Sequence, residues 1–210
     1  MITIVDYGMG NVGSIQNMLK RIGMASAVAS TPEQLAGAGR LVLPGVGAFD
    51  RAMRTLRETG LSEALEERVA AGVPILGICL GMQLMTRSSE EGGAAGLGWI
   101  AARTVRFLPQ YGSVAVKVPH MRWNTVRPAV PGTLFDRDET DARFYFVHSY
   151  CVECDDPADV AATAVHGREF VCAFQRGGIM GVQFHPEKSH RYGMRLLERF
   201  AAWKPALVPG

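Results

Sequence analysis

Three residues have the types and spacing to do chemistry together. Cys79 sits in Gly77-Ile78-Cys79-Leu80-Gly81, and far downstream stands His185-Pro186-Glu187. The apolar run Val73 to Ile78 reads as a buried strand and Leu80 to Met85 as the start of a helix. A nucleophile between glycines at a strand-to-helix turn is a nucleophile elbow, which pushes the side chain out of the sheet. The following helix points unpaired N–H groups and its positive end at the sulfur, favouring a thiolate. The same N–H groups, that of Leu80 first, are placed to receive charge on an attacked carbonyl oxygen. A cysteine nucleophile needs a base, and the base needs a group to fix its tautomer. Pro186 pushes His185 towards extended geometry, where residues i and i+2 share a side. Cys79 is thus expected as nucleophile, His185 as acid/base and Glu187 as its orienter.

The elements that must hold them follow from the pattern of apolar residues. The first half alternates strand and helix, as in a parallel α/β sheet. Strands are predicted at Ile2 to Asp6, Ala25 to Ala29 and Leu41 to Leu43, ahead of the strand that delivers Cys79. Helices are predicted near Val12 to Ile22, from Thr31-Pro32-Glu33 (an N-cap with proline at the first position), at Phe49 to Arg57 and at Ser62 to Ala71. After Gly98 short strand-like runs dominate, at 99–107, 114–118, 144–153, 160–165, 170–175 and 179–184, before a last amphipathic helix at 192–203. The expectation is an α/β three-layer sandwich around a mixed, mostly parallel sheet, as a single domain over residues 1–210. Chemistry in such sheets lies beyond the carboxyl ends of the strands.

At 210 residues the chain is long enough to bury a full core. It is 48% hydrophobic and 20% charged, which argues against disorder. A net charge of +2 without a basic stripe does not suggest nucleic acid. The start of the chain reads as a strand, with neither a basic leader nor a membrane span. Four cysteines do not make a disulfide framework in a chain of this size, so a reducing cytoplasm is expected. Cys151-Val152-Glu153-Cys154 is a C-x-x-C, but it has no second pair and follows a strand-like run, so neither zinc nor redox chemistry is expected of it.

Two glycine-rich turns precede the elbow. Gly8-Met9-Gly10-Asn11-Val12-Gly13 matches the dinucleotide fingerprint G-x-G-x-x-G, yet the second strand ends Val28-Ala29-Ser30 without the acid that would hold a ribose. A dinucleotide would also leave Cys79, His185 and Glu187 unexplained. Pro44-Gly45-Val46-Gly47 is either an ordinary tight turn or a segment whose backbone N–H swings towards an oxyanion. Gln83 lies one helical turn beyond Cys79, on the same face, as a polar contact or a solvated residue.

Together these segments resemble the class I (triad-type) glutamine amidotransferases, nearly end to end. The elbow and His185-Pro186-Glu187 are shared across that class. Val118-Pro119-His120-Met121 and Val147-His148-Ser149-Tyr150 resemble one subgroup, the glutaminase subunits of imidazole glycerol phosphate synthase. The resemblance implies hydrolysis of glutamine through a glutamyl thioester, with ammonia passed to a separate HisF-like (β/α)8-barrel cyclase subunit in histidine biosynthesis. It implies Val46 and Leu80 as oxyanion donors, and Gly47, Gln83 and Ser149 as glutamine contacts. It places Asn11, Met121, Trp123, Asn124, Tyr145 and Lys188 on the face that meets the partner. No cofactor and no metal are implied. The subgroup has glycine where this chain has Arg122, so the fit of the surrounding loop to its partner is expected to differ. A peptidase-like relative on the same fold, or an amidotransferase serving another acceptor, uses the same three side chains.

Overall fold

The computed structural model describes residues 1–129, 134–135 and 142–204. Its first half follows the alternating pattern. Strand β1 (Ile2–Val5), helix α1 (Val12–Arg21), β2 (Ser26–Ala29), the short α2 (Pro32–Leu35) and β3 (Leu41–Gly45) come first. Helices α3 (Phe49–Glu58) and α4 (Leu61–Ala70) then lead to β4 (Ile75–Cys79) and α5 (Leu80–Leu84). Several helix ends have a local reason. The Asn11 side chain accepts from the Ser14 N–H at the start of α1, and Pro32 sits at the first position of α2 after the extended Thr31. Gly23, Gly60 and Gly72 take positive φ at the turns between elements.

The second half is built of strands: β5 (Ala102–Arg106), a small hairpin of β6 (Gln110–Tyr111) and β7 (Val114–Ala115), β8 (His120–Thr125) and β9 (Arg127–Pro128). Then follow β10 (Arg143–His148), β11 (Tyr150–Cys154), β12 (Val160–His166), β13 (Arg168–Arg176) and β14 (Ile179–Val182), before the closing helix α6 (His190–Ala202).

The main sheet runs β2-β1-β3-β4-β14-β13-β11-β5, with β12 on β13 and β9 on β12. It is parallel from β2 through β14 and antiparallel beyond. Every residue of β1, β3 and β4 is buried, as expected of strands covered on both faces. Alternate side chains feed two cores. One holds Ile4, Val42 and Leu76 with Ile15 and Leu19 of α1 and Leu196, Leu197 and Phe200 of α6. The other holds Val5, Leu41, Leu43 and Ile75 with Leu35, Met53, Leu56, Leu61 and Leu65 of the opposite helices. This is the three-layer α/β sandwich expected.

Two features depart from the reading of the sequence. The run 144–153 is two strands in different sheets: β10 pairs with β8 in a separate two-stranded sheet, while β11 belongs to the main sheet. Ser149 is the joint between them. Strand β8 itself was not legible, because its polar residues His120 and Asn124 turn inward while Met121 is 58% exposed. Arg122 therefore lies in a strand opposite Phe146, not in a loop.

Candidate active site

Cys79 ends β4 at φ 56°, ψ −110°, one of two non-glycine residues with positive φ among the described residues. A single side chain is carried into this region at a cost, and such outliers gather where function requires them. The glycines around it are a matter of space. A Cβ on Gly81 would run into the Leu43 carbonyl, and one on Gly77 would meet the Gly81 backbone. Gly45 lets β3 close on the elbow, since a Cβ there would meet Gly81 N, Leu80 Cβ and the Tyr7 hydroxyl.

His185 and Glu187 form a buried pair, with Nδ1 of the imidazole 2.7 Å from Glu187 Oε1 and both side chains 2% exposed. The geometry differs from the expected extended segment. Only His185 is extended; residues Pro186–Lys188 form a 3₁₀ turn, and Glu187 reaches back across it. The turn is held by Ser189, whose Oγ donates to the His185 carbonyl at 2.6 Å and accepts from the Tyr145 N–H at 3.0 Å. Nε2 of His185 is buried without a protein partner, as is Glu187 Oε2. Burial alone would lower the His185 pKa, but neighbouring Cys79 and Glu187 outweigh it and hold the imidazole at about 9. With Nδ1 taken by Glu187, Nε2 is the nitrogen left to serve the Cys79 sulfur, which suits both protonation of a leaving group and support of a thiolate.

Leu80 opens α5, so its N–H belongs to the unpaired first turn. Val46 is different. Its N–H donates to the Met9 carbonyl at 3.2 Å and so is turned away from the thiol. To serve an oxyanion, the Gly45–Val46 peptide must rotate and give up that bond. The Met9 carbonyl is presented by the Gly8–Gly13 turn. There Gly10 packs so closely on Pro44 that a Cβ would reach 2.9 Å from its Cγ. The sequence that matched a dinucleotide fingerprint thus buttresses the oxyanion turn. Tyr7 leaves its buried hydroxyl unpartnered, and burial, with the Cys79 charge, raises its pKa far above the usual range.

A cavity of about 370 Å³ opens over the sulfur, lined by Cys79, Val46, Gly47, Leu80, Gln83, Ser149 and His185 with Val147, His148, Tyr150, Glu91 and Lys188. Every residue expected to contact substrate is on this wall, with Gly47 at φ 109°. Gln83 is buried rather than solvated. Its Nε2 donates to the Tyr150 carbonyl at 3.3 Å and to Gln183 Oε1 at 3.0 Å, so only its Oε1 remains for a ligand. Gln183 in turn donates from Nε2 to Cys79 Sγ at 3.7 Å. This residue was missed, although its position two before His185 was a usable signal. Glu91, whose Oε2 accepts from the Phe49 N–H at 2.9 Å, had no signal in the sequence.

The six residues expected on a partner face divide. Trp123 and Tyr145 are register partners with ring centroids 6.3 Å apart, and Lys188 lies 5.8 Å over the Tyr145 ring. Met121 shares their side of β8, and these four make one surface beside the cavity. Asn11 is exposed and caps α1. Asn124 turns to the other side of β8, where it contacts His120. Cys151 and Cys154 are free thiols in β11, and burial pushes both up to about 12.

A buried cysteine–histidine–glutamate constellation on an elbow, at the carboxyl edge of this sheet, defines a class I glutamine amidotransferase. The chain belongs to that family: the model of "glutamine amidotransferase class-I" matches residues 3–203. It is 50% identical to imidazole glycerol phosphate synthase subunit HisH of Bdellovibrio bacteriovorus, over 96% of this chain and 99% of that one. It is 49% identical to subunit HisH 2 of Methanococcus maripaludis, over 95% and 98%. Among solved structures, a glutamine amidotransferase superposes with a TM-score of 0.74 at 19% identity, over 96% of this chain and 98% of that one. PurLQS from Thermotoga maritima superposes with 0.73 at 16% identity, over 96% and 97%. At such identities these two speak for the fold.

Proposed function

We propose that this chain is the glutaminase subunit of imidazole glycerol phosphate synthase, acting in histidine biosynthesis as a single glutamine amidotransferase domain in the cytoplasm. The observation that carries the chemistry is the convergence of Cys79, His185 and the first residue of α5 on one cavity, with Glu187 paired to Nδ1 of His185 behind it. The sulfur of Cys79, as thiolate, attacks the side-chain carbonyl carbon of glutamine. The charge that develops on oxygen is received by the Leu80 N–H and, after rotation of its peptide, by that of Val46. His185 gives its Nε2 proton to the departing nitrogen, ammonia leaves, and a glutamyl thioester remains. Water, deprotonated by His185, then attacks the thioester and releases glutamate and the thiolate. Glu187 keeps the imidazole in register throughout, and Gly47, Gln83 and Ser149 hold the amino acid.

Ammonia released here is useful only to a second active site, so the reading includes a partner, a HisF-like (β/α)8-barrel cyclase. The surface of Met121, Trp123, Tyr145 and Lys188 borders the cavity and suits such docking, with Asn11 exposed at the start of α1; Asn124, on the other side of β8, is not part of it. The bond from Val46 to Met9 supports a gate: the isolated chain withholds one oxyanion donor until the partner favours the rotated turn, which requires differential affinity for the two states. Glutamate release by the chain alone, and with the barrel subunit and its nucleotide substrate, tests both ideas. Low activity alone and a large rise with both is expected. Full activity alone would end the gate, and indifference to that partner would move the chain to another acceptor pathway.

A further inference from the structure

Behind the cavity lies a second polar system that the mechanism above leaves unused. Asn124 has a fixed amide: Nδ2 donates to the Val165 carbonyl at 2.9 Å and Oδ1 accepts from the Thr125 N–H at 2.9 Å. Its remaining Nδ2 hydrogen meets His120 Nε2 at 3.2 Å. His120 Nδ1 is 2.9 Å from His148 Nε2, and His148 Nδ1 is 2.7 Å from the Tyr150 carbonyl.

The protons on both rings follow from the two ends. A carbonyl only accepts, so His148 carries its proton on Nδ1 and must accept at Nε2. From the other end Asn124 donates, so His120 accepts at Nε2 and carries its proton on Nδ1. The two deductions agree, and each ring holds one proton. Beyond Tyr150 the line continues to Gln83, to Gln183 and to Cys79 Sγ. From His120 to Cys79 every side chain in it is buried. The rings are packed by Phe107, Phe146 and Phe170, and His166 stacks on His120 with centroids 4.1 Å apart.

We propose that His120 and His148 are positioning residues: as two neutral, Nδ1-protonated rings they fix the Tyr150 carbonyl, and through it the amide of Gln83 that receives the substrate. With both Nε2 hydrogens of Gln83 held by the Tyr150 carbonyl and Gln183 Oε1, a flipped amide would set oxygen against oxygen. The cavity therefore meets an acceptor, suited to an ammonium or amide N–H. The assignment rests on the cavity being the glutamine site.

The test uses the complete chain with its synthase partner. Imidazole ¹⁵N shifts at neutral pH should show both rings protonated on Nδ1 alone. Replacing His148→Phe should raise KM for glutamine about tenfold, the worth of one buried hydrogen bond, with kcat nearly unchanged. A merely structural defect would lower the active fraction, and hence kcat, without moving KM. His148→Asn, which keeps a donor near the Nδ1 position, should recover most of the loss. Gln83→Met combined with His148→Phe should be no worse than Gln83→Met alone, because the pair acts through Gln83. A proton on Nε2 of either ring, an unchanged KM in His148→Phe, or full additivity with Gln83→Met would overturn the proposal. If the wild-type complex released no glutamate, the glutaminase reading would fall instead, and the ring shifts would still decide whether the pair holds its protons as stated.

Discussion

His185 and His148 stand on the wall of the same cavity, both deeply buried, and they are driven in opposite directions. Burial lowers an imidazole pKa in either place. At His148 the Tyr150 carbonyl offsets it only in part, His166 and His185 add to it, and the ring falls to about 3; His120 falls to about 2 for the same first reason. At His185 the Glu187 carboxylate and the Cys79 sulfur reverse the outcome and hold the ring at about 9. Enclosure alone therefore does not set the charge of a histidine here. One side of the cavity is an ionic dyad that moves protons, the other a neutral chain that keeps them still.

The largest effect is expected from removing the nucleophile. Cys79→Ala should lower glutamate release by at least about 10³-fold, measured as initial rate in the presence of the partner. Substantial residual turnover would take Cys79 out of the chemistry. Next comes Glu187→Gln, which keeps shape but loses charge. It should bring the His185 titration well down from about 9 and reduce kcat by about 10²–10⁴-fold. A His185 titration left in place, followed by NMR, would show that Glu187 is not what separates it from His148.

Stability against pH should show the two kinds of histidine with opposite signs. His120 and His148 have folded pKa values below the unfolded value of about 6.5. The unfolded chain thus binds protons that the folded one refuses, and stability falls as pH drops below about 6.5, continuing towards about 3. His185 has a raised folded pKa, so its contribution is complete below about 6.5 and is lost as pH rises through about 9. Thermal unfolding across this range should trace both flanks, and His148→Asn should flatten only the acid one. The smallest change is expected from Arg122→Gln. Arg122 is an exposed charge near His120 and His166 and lowers both their pKa values behind the larger effect of burial. Its loss should shift stability by no more than about 0.5 kcal/mol.

Much of this was legible because the relevant signals are local. The parallel half shows itself in apolar runs bounded by glycine and proline, and the elbow in Gly77-Ile78-Cys79-Leu80-Gly81. His185 and Glu187 were paired from their spacing, though a 3₁₀ turn rather than strand alternation brings them together. The rest depends on contacts distant in sequence. Strand β8 alternates Met121 and Trp123 with His120, Arg122 and Asn124, but it is His120 and Asn124 that turn inward and satisfy one another, so its alternation points the wrong face at the core. Residues 144–153 read as one strand because apolar residues flank His148-Ser149 on both sides and so short a polar interruption does not mark a change of sheet. The residues Pro44 to Gly47 read equally as a tight turn and as an oxyanion segment, with Val46 a donor only by resemblance; the approach of the Met9 carbonyl from another turn shows that its N–H is occupied.

The left-handed backbone of Cys79 has an evolutionary consequence. Held at φ 56° by its surroundings, a side chain there costs the fold about 1–3 kcal/mol. Glycine would adopt that conformation freely. Cys79→Gly should therefore melt at a higher temperature than Cys79→Ala, while neither variant has a nucleophile. A lineage released from the need for ammonia would gain robustness by replacing this cysteine with glycine.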